Sequence, residues 1–164
     1  MNLAGKKPGS SVALLLVLTV LAGAGLVWQG VVWRDHRGDD HARNAAVEVA
    51  TDQVLDLTTL DTDTIDAKVA AMGKRLSGDF KRQFDGFSQT FADVVANDKI
   101  RASGKLKSVA VSAYDGRKAD VLVATTVDVT TGKATKPTQR DYRMKVSLEG
   151  SGDDWLITGM EFVA

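Results

Sequence analysis

Hydrophobic positions follow three different patterns along this chain. From Val12 to Trp33 they form one uncharged run, broken only by Thr19 and Gln29. At about 1.5 Å per residue such a run makes a helix of about 33 Å, enough to cross a hydrocarbon core of about 30 Å. Trp28 and Trp33 close the run, where amphipathic rings anchor at a membrane interface. The pattern predicts a cytoplasmic tail over 1–11, a transmembrane helix over 12–33, a juxtamembrane connector over 34–40 and an extracytoplasmic domain over 41–164. A cleaved signal peptide is the rival reading, with Lys6 and Lys7 as its charged end and Ala22-Gly23-Ala24 as the cleavage site. The apolar run continues past that site through Leu26, Val27, Trp28, Val31 and Val32, which favours a retained anchor. Lys6 and Lys7 on one side balance Arg34, Arg37 and Arg43 on the other, so charge alone leaves orientation open. A short tail ahead of a single span usually stays in the cytoplasm, which places the remainder outside.

Beyond the connector the rhythm becomes helical. Ala42, Ala46, Val49, Gln53 or Val54, and Leu57 recur at spacings of three and four, with Asp40 as the expected cap. A second helix is expected from Asp61 or Thr62 as cap through Ile65, Val69, Met72 and Leu76. A third starts near Ser77-Gly78-Asp79 and carries Phe80, Phe84, Phe87 and Phe91 on one stripe.

After Asn97 the period changes to two. Strands are expected over Leu106–Tyr114, Ala119–Thr130, Tyr142–Glu149 and Trp155–Val163, with Asp115-Gly116 as a hairpin turn. Three helices followed by a four-stranded antiparallel meander read as an α+β domain, its helices on one face of the sheet.

Charge and composition narrow the functions. Lys plus Arg and Asp plus Glu number 21 each, so net charge is zero and nucleic-acid binding through a basic surface is excluded. There is no cysteine, which removes disulfides, thiolate chemistry and cysteine-based zinc sites. Both histidines, His36 and His41, fall at the connector, so the domain is expected to lack the commonest acid–base catalyst. Asp61, Asp63 and Asp66 suggest a calcium loop, but Ile65, Asp66 and Met72 stand where it needs an acid or Asn, a Gly and a Glu. They read as the start of a helix. Lys133, Lys136, Arg140 and Arg143 read as a solvated, charged sheet edge. No catalytic, cofactor or metal residue is expected, and Glu161 is the one acid that could occupy an apolar-face position. Phe84, Phe87, Tyr142 and Trp155 are the candidate core or pocket-lining residues.

In order along the chain stand an N-terminal span, Asn44-Ala45-Ala46, Leu57-Thr58-Thr59-Leu60-Asp61, Ser77-Gly78-Asp79-Phe80 with Phe84, and Ser103-Gly104. Tyr142-Arg143-Met144, Trp155-Leu156 and Glu161-Phe162-Val163 follow. With these features the chain resembles the actinobacterial Mce-associated membrane proteins, encoded beside mammalian-cell-entry lipid importers. The tyrosine common after the Leu-Asp pair is Thr62 here. The resemblance implies a cone-shaped domain similar to nuclear transport factor 2, held outside the membrane. It also implies a non-enzymatic accessory role in complexes that move lipids or sterols. The partners it implies are the bilayer and Mce transporter subunits or sister Mce-associated proteins, as a homo- or hetero-oligomer. Two other readings stay open at this point. One is an anchored component of a bacterial secretion channel; the other is a pocket-bearing isomerase- or cyclase-like enzyme of the same fold.

Overall fold

The computed structural model describes residues 39–132 and 136–163. The apolar run with Trp28 and Trp33 lies outside the described residues, as do the tail and most of the connector. Among the described residues no helix is long and apolar enough to cross a membrane.

Helix α1 covers 39–58. Ala42, Ala46, Ala50 and Val54, four residues apart, are all buried in the main core. Their small side chains bring the helix close to the sheet. At its end Thr58 lies against Gly104, where a Cβ would come within 2.2 Å of the Thr58 hydroxyl oxygen and 2.8 Å of its Cβ. Asp40 is already helical, so it does not cap this helix as expected. His41 is helical too, and its Nε2 lies 2.9 Å from the Asp153 carboxylate. The folded domain therefore does contain a histidine, which is exposed and paired with that carboxylate.

Helix α2 (Ile65–Lys74) begins after Thr64 rather than at Asp61 or Thr62. Asp61 instead closes the preceding turn, accepting from the Asp63 N–H at 2.9 Å through its side chain and from the Thr64 N–H through its carbonyl. Asp56 of α1 holds α2 in place, accepting from Arg75 Nη1 at 2.6 Å and Lys68 Nζ at 3.3 Å. Leu76 lies beyond the helix, in a short parallel bridge to Ile157. Helix α3 (Gly78–Asn97) buries Phe84, Ala92 and Val95.

Strands β1 (Arg101–Tyr114), β2 (Lys118–Thr130), β3 (Thr138–Ser151) and β4 (Asp154–Phe162) form one antiparallel meander in that order. The hairpin turn is the expected one: Asp115 Oδ1 accepts from the N–H groups of Arg117 and Lys118, and Gly116 takes φ +87. Strand β1 starts earlier than its alternation suggests because Leu60 and Ala102 exchange two backbone hydrogen bonds of 2.9 Å. The helix-facing side of the sheet carries Val121, Val123, Val146, Leu148 and Ile157, all but excluded from water. Strand β1, at the edge and interrupted by two bulges, leaves Leu106 and Val109 exposed. Three helices against a four-stranded antiparallel sheet is the α+β architecture expected.

Candidate functional site

Helices α1 and α3 and strands β3 and β4 converge on a cavity of about 180 Å³. Gln53 and Leu57 reach it from α1, Phe80, Phe84 and Phe87 from α3, Met144 from β3, and Met160, Glu161 and Phe162 from β4. All but Glu161 come from the inward period of their elements, so the site exists only once all four are packed. Phe84 is buried and meets Phe87 edge-to-face at a centroid distance of 5.4 Å. Phe87 itself is 50% exposed and forms the rim rather than core. Phe162, 69% exposed, forms the opposite rim. Tyr142 stands behind that rim, its ring 5.8 Å from Phe162.

Trp155 belongs elsewhere. It is buried near the other end of the sheet, 6.0 Å from Tyr114, and its indole N–H donates to Gly152 O at 2.9 Å. Of the four aromatic positions singled out in the sequence, Phe84 and Phe87 line the cavity, Tyr142 supports it and Trp155 does not reach it. Gln53 stood only as an alternative to Val54 on the α1 face, and Met160 and Phe162 were not distinguished by local pattern, because no periodicity tells which elements will meet.

The polar chemistry at the cavity is sparse. Gln53, 2% exposed, accepts from Arg75 Nη1 through Oε1 at 3.4 Å. Glu161 contributes to the wall, but pairing of Lys145 with Glu161 sets both on the outer face of the sheet, since Met144 and Val146 point inward. There the Lys145 ammonium donates to the Glu161 carboxylate at 2.5 Å, which raises the lysine pKa above its ordinary value. Glu161 is therefore not an apolar-face acid. The other shifted groups also lie away from the cavity. Backbone N–H groups of Arg117 and Lys118 lower the Asp115 pKa, and the Thr126 hydroxyl and Lys107 ammonium lower that of Asp141. Burial, then the charge of Asp39, raises that of Tyr114.

The acidic run does not assemble a cation site. Asp61 and Asp63 face Arg101 at 3.5 and 3.9 Å, and Asp66 sits in the first turn of α2, where the helix dipole favours it. Among the described residues no group of three His, Cys, Asp or Glu side chains is placed to hold a metal ion. Of the basic cluster, Lys136, Arg140 and Arg143 are exposed as a charged edge would be, and Lys133 lies outside the described residues. A wider cleft of about 510 Å³ with mixed polar and apolar walls separates α2 from α3, but its Lys81 and Asp85 already pair at 2.9 Å.

Comparison with solved structures identifies the fold. An IcmL-like type IV secretion system protein from Legionella pneumophila matches with a TM-score of 0.58 at 12% identity, over 74% of this chain and 91% of that one. CagV, a VirB8 homologue from Helicobacter pylori, matches with a TM-score of 0.58 at 8% identity, over 73% and 97%. At these identities the likeness is one of fold, and that fold is the nuclear transport factor 2-like one. Sequence relatives are nearer. The uncharacterized protein Rv1363c of Mycobacterium tuberculosis is 27% identical over 156 residues, which span 94% of this chain and 60% of that protein. The M. tuberculosis protein named outer membrane protein Rv1973 is 30% identical over 151 residues, 89% of this chain and 90% of its own. The family described as uncharacterized protein Rv1363c/MT1408-like matches residues 9–164, and this chain belongs to it.

Proposed function

We propose that this protein is a single-pass membrane accessory subunit that acts by assembly and performs no chemistry, stabilising an Mce-type lipid or sterol importer. The observation that carries the reading is the character of the cavity. It is small and apolar, and the one acid in its wall turns its carboxylate to the outer face of the sheet. General acid or base catalysis requires a titratable group within hydrogen-bond reach of the substrate. A contact site requires only shape and apolar surface. The uncharged run Val12–Trp33 supports an anchor, and an anchor raises the effective concentration of any partner in the same membrane. A relative named an outer membrane protein supports an envelope location. The link to an Mce importer rests on the sequence resemblance.

A second reading, an anchored component of a secretion channel, is favoured by the fold shared with the IcmL-like protein and CagV. Crosslinking in the native membrane, followed by identification of the attached proteins, decides between them. Importer subunits are expected. Secretion-channel subunits would favour the second reading, and the absence of any attached protein would overturn both.

A further inference from the structure

One donor in the cavity wall is left without an acceptor. Gln53 is buried, and its Oε1 accepts from Arg75 Nη1, which Asp56 in turn holds at 2.6 Å. A guanidinium only donates, so this contact fixes which way the amide faces and leaves Nε2 as its free end. Among the described residues Nε2 donates to nothing. Nor is it sealed inside the protein: the unpartnered side-chain atoms closed off from solvent are the hydroxyls of Thr51, Tyr114 and Thr125. An unpaired amide N–H that keeps a sliver of accessible surface opens on the cavity that its residue lines.

The rest of the wall says what must carry the missing acceptor. Leu57, Phe80, Phe84, Met144 and Met160 offer apolar surface, and among the described residues none that lines the cavity is basic. A carboxylate or phosphate would be stripped of water there with no cation to meet it, so the matching oxygen is a neutral one. The cavity, of about 180 Å³, is close to the roughly 150 Å³ that holds a benzene ring. It is smaller than the roughly 300–1,000 Å³ of sites that enclose a whole drug-sized ligand. One ring therefore enters, and the remainder of a larger molecule lies on Phe87 and Phe162, the two exposed rims. An acyl chain of equal volume would have to coil to fit and lose its rotamer freedom, whereas a ring is already compact.

We propose that the cavity binds a neutral alicyclic lipid end-on. The ring carrying a keto or hydroxyl oxygen lies inside with that oxygen on Gln53 Nε2, and the apolar rings that follow rest on Phe87 and Phe162. Glutamine does not titrate, so the site holds its ligand without reacting with it. The proposal stands whichever complex the protein joins.

The chain has four methionines, of which Met144 and Met160 line the cavity while Met72 is buried in the core outside its wall. Methyl NMR of the full chain, isotope-labelled at methionine and held in phospholipid nanodiscs, reads the cavity directly. The bicyclic ketone 2-decalone should shift Met144 and Met160 saturably at or below about millimolar concentration and leave Met72 nearly in place. Gln53→Leu should weaken 2-decalone about 5-fold or more, while benzene, which offers no comparable acceptor, binds as before or tighter. Gln53→Glu, which replaces the donor by an oxygen and keeps a partner for Arg75, should weaken the ketone as much and guards against misfolding of the leucine variant. Decalin-2-carboxylate should bind at least about 10-fold more weakly than 2-decalone. Shifts that rise without saturating, an unchanged ketone affinity in both variants, or a carboxylate that binds as tightly as the ketone would overturn the proposal. Tighter binding of 1-octanol than of 2-decalone would assign the cavity to chain lipids, and no binding of any of these would leave its rings as a protein contact; either result overturns it too.

Discussion

Replacing Gly104 by alanine should loosen α1 from the sheet. The backbone there is not left-handed, so alanine is conformationally allowed and the penalty comes from packing alone. The added Cβ would stand 2.2 Å from Thr58 Oγ1, 2.8 Å from Thr58 Cβ and 3.2 Å from the Thr58 backbone carbon. Thr58 cannot simply rotate away at no cost, because its hydroxyl donates to Val54 O at 2.7 Å. The Gly104 N–H also donates to Thr59 Oγ1 at 3.3 Å, and a shift would strain that contact. Overpacking of this kind costs about 1–3 kcal/mol. Contacts this short call for the upper part of that range, about 2–3 kcal/mol, and alanine restores about 0.4–1 kcal/mol by narrowing the unfolded ensemble, leaving a net loss of about 1–2.5 kcal/mol. For a domain between 100 and 150 residues that lowers Tm by about 4–8 °C. Circular dichroism melting of the full chain in detergent measures it. Combining Gly104→Ala with Thr58→Ala removes the shortest contact and should recover part of the loss. An unchanged or raised Tm for Gly104→Ala would refute the close approach of α1 to β1.

Phe84→Ala should destabilise the domain by about 3 kcal/mol, the lower end for a buried phenylalanine because the ring already borders a cavity; a loss under about 0.5 kcal/mol in urea unfolding would put that ring outside the core. Asp56→Ala leaves Arg75 and Lys68 without their shared carboxylate and should cost about 1.5–3 kcal/mol, with amide exchange accelerated in α2; unaltered α2 exchange would contradict that role. Asp115→Ala should lower stability at neutral pH. The folded carboxyl has a depressed pKa, so its contribution is present above the unfolded value and disappears as pH falls through the folded one. Melting curves of the two proteins should therefore converge in acid, and a gap that persists there would refute the linkage.

Much of this fold was legible because it is local. Positions from Ala42 through Ala46 and Val49 to Leu57, at spacings of three and four, announced α1, alternating valines announced β2, and Asp115-Gly116 announced its hairpin. What escaped depends on partners distant in sequence. Strand β1 begins at Arg101 because Leu60 pairs with Ala102, and Leu76 leaves its helix because Ile157 receives it. The phenylalanine stripe was visible, yet its spacing could not show where the covering strands end, which is why Phe87 is rim and Phe84 is core. Glu161 was misplaced for the same reason: only the register with Lys145 turns it outward.

The central claim is that the protein supports a complex and does not react with substrate. Its most direct test is lipid uptake in a strain lacking the protein, complemented in turn with Asp66→Asn, Asp128→Asn, Asp141→Asn and Glu161→Gln. Levels of this chain and of the importer subunits are measured in the same cells. The account predicts that each variant restores uptake nearly in full and that uptake follows importer abundance. Loss of a general acid or base commonly lowers rate by about 10²–10⁴. One variant that abolishes uptake while its own level and the importer's stay normal would contradict the account.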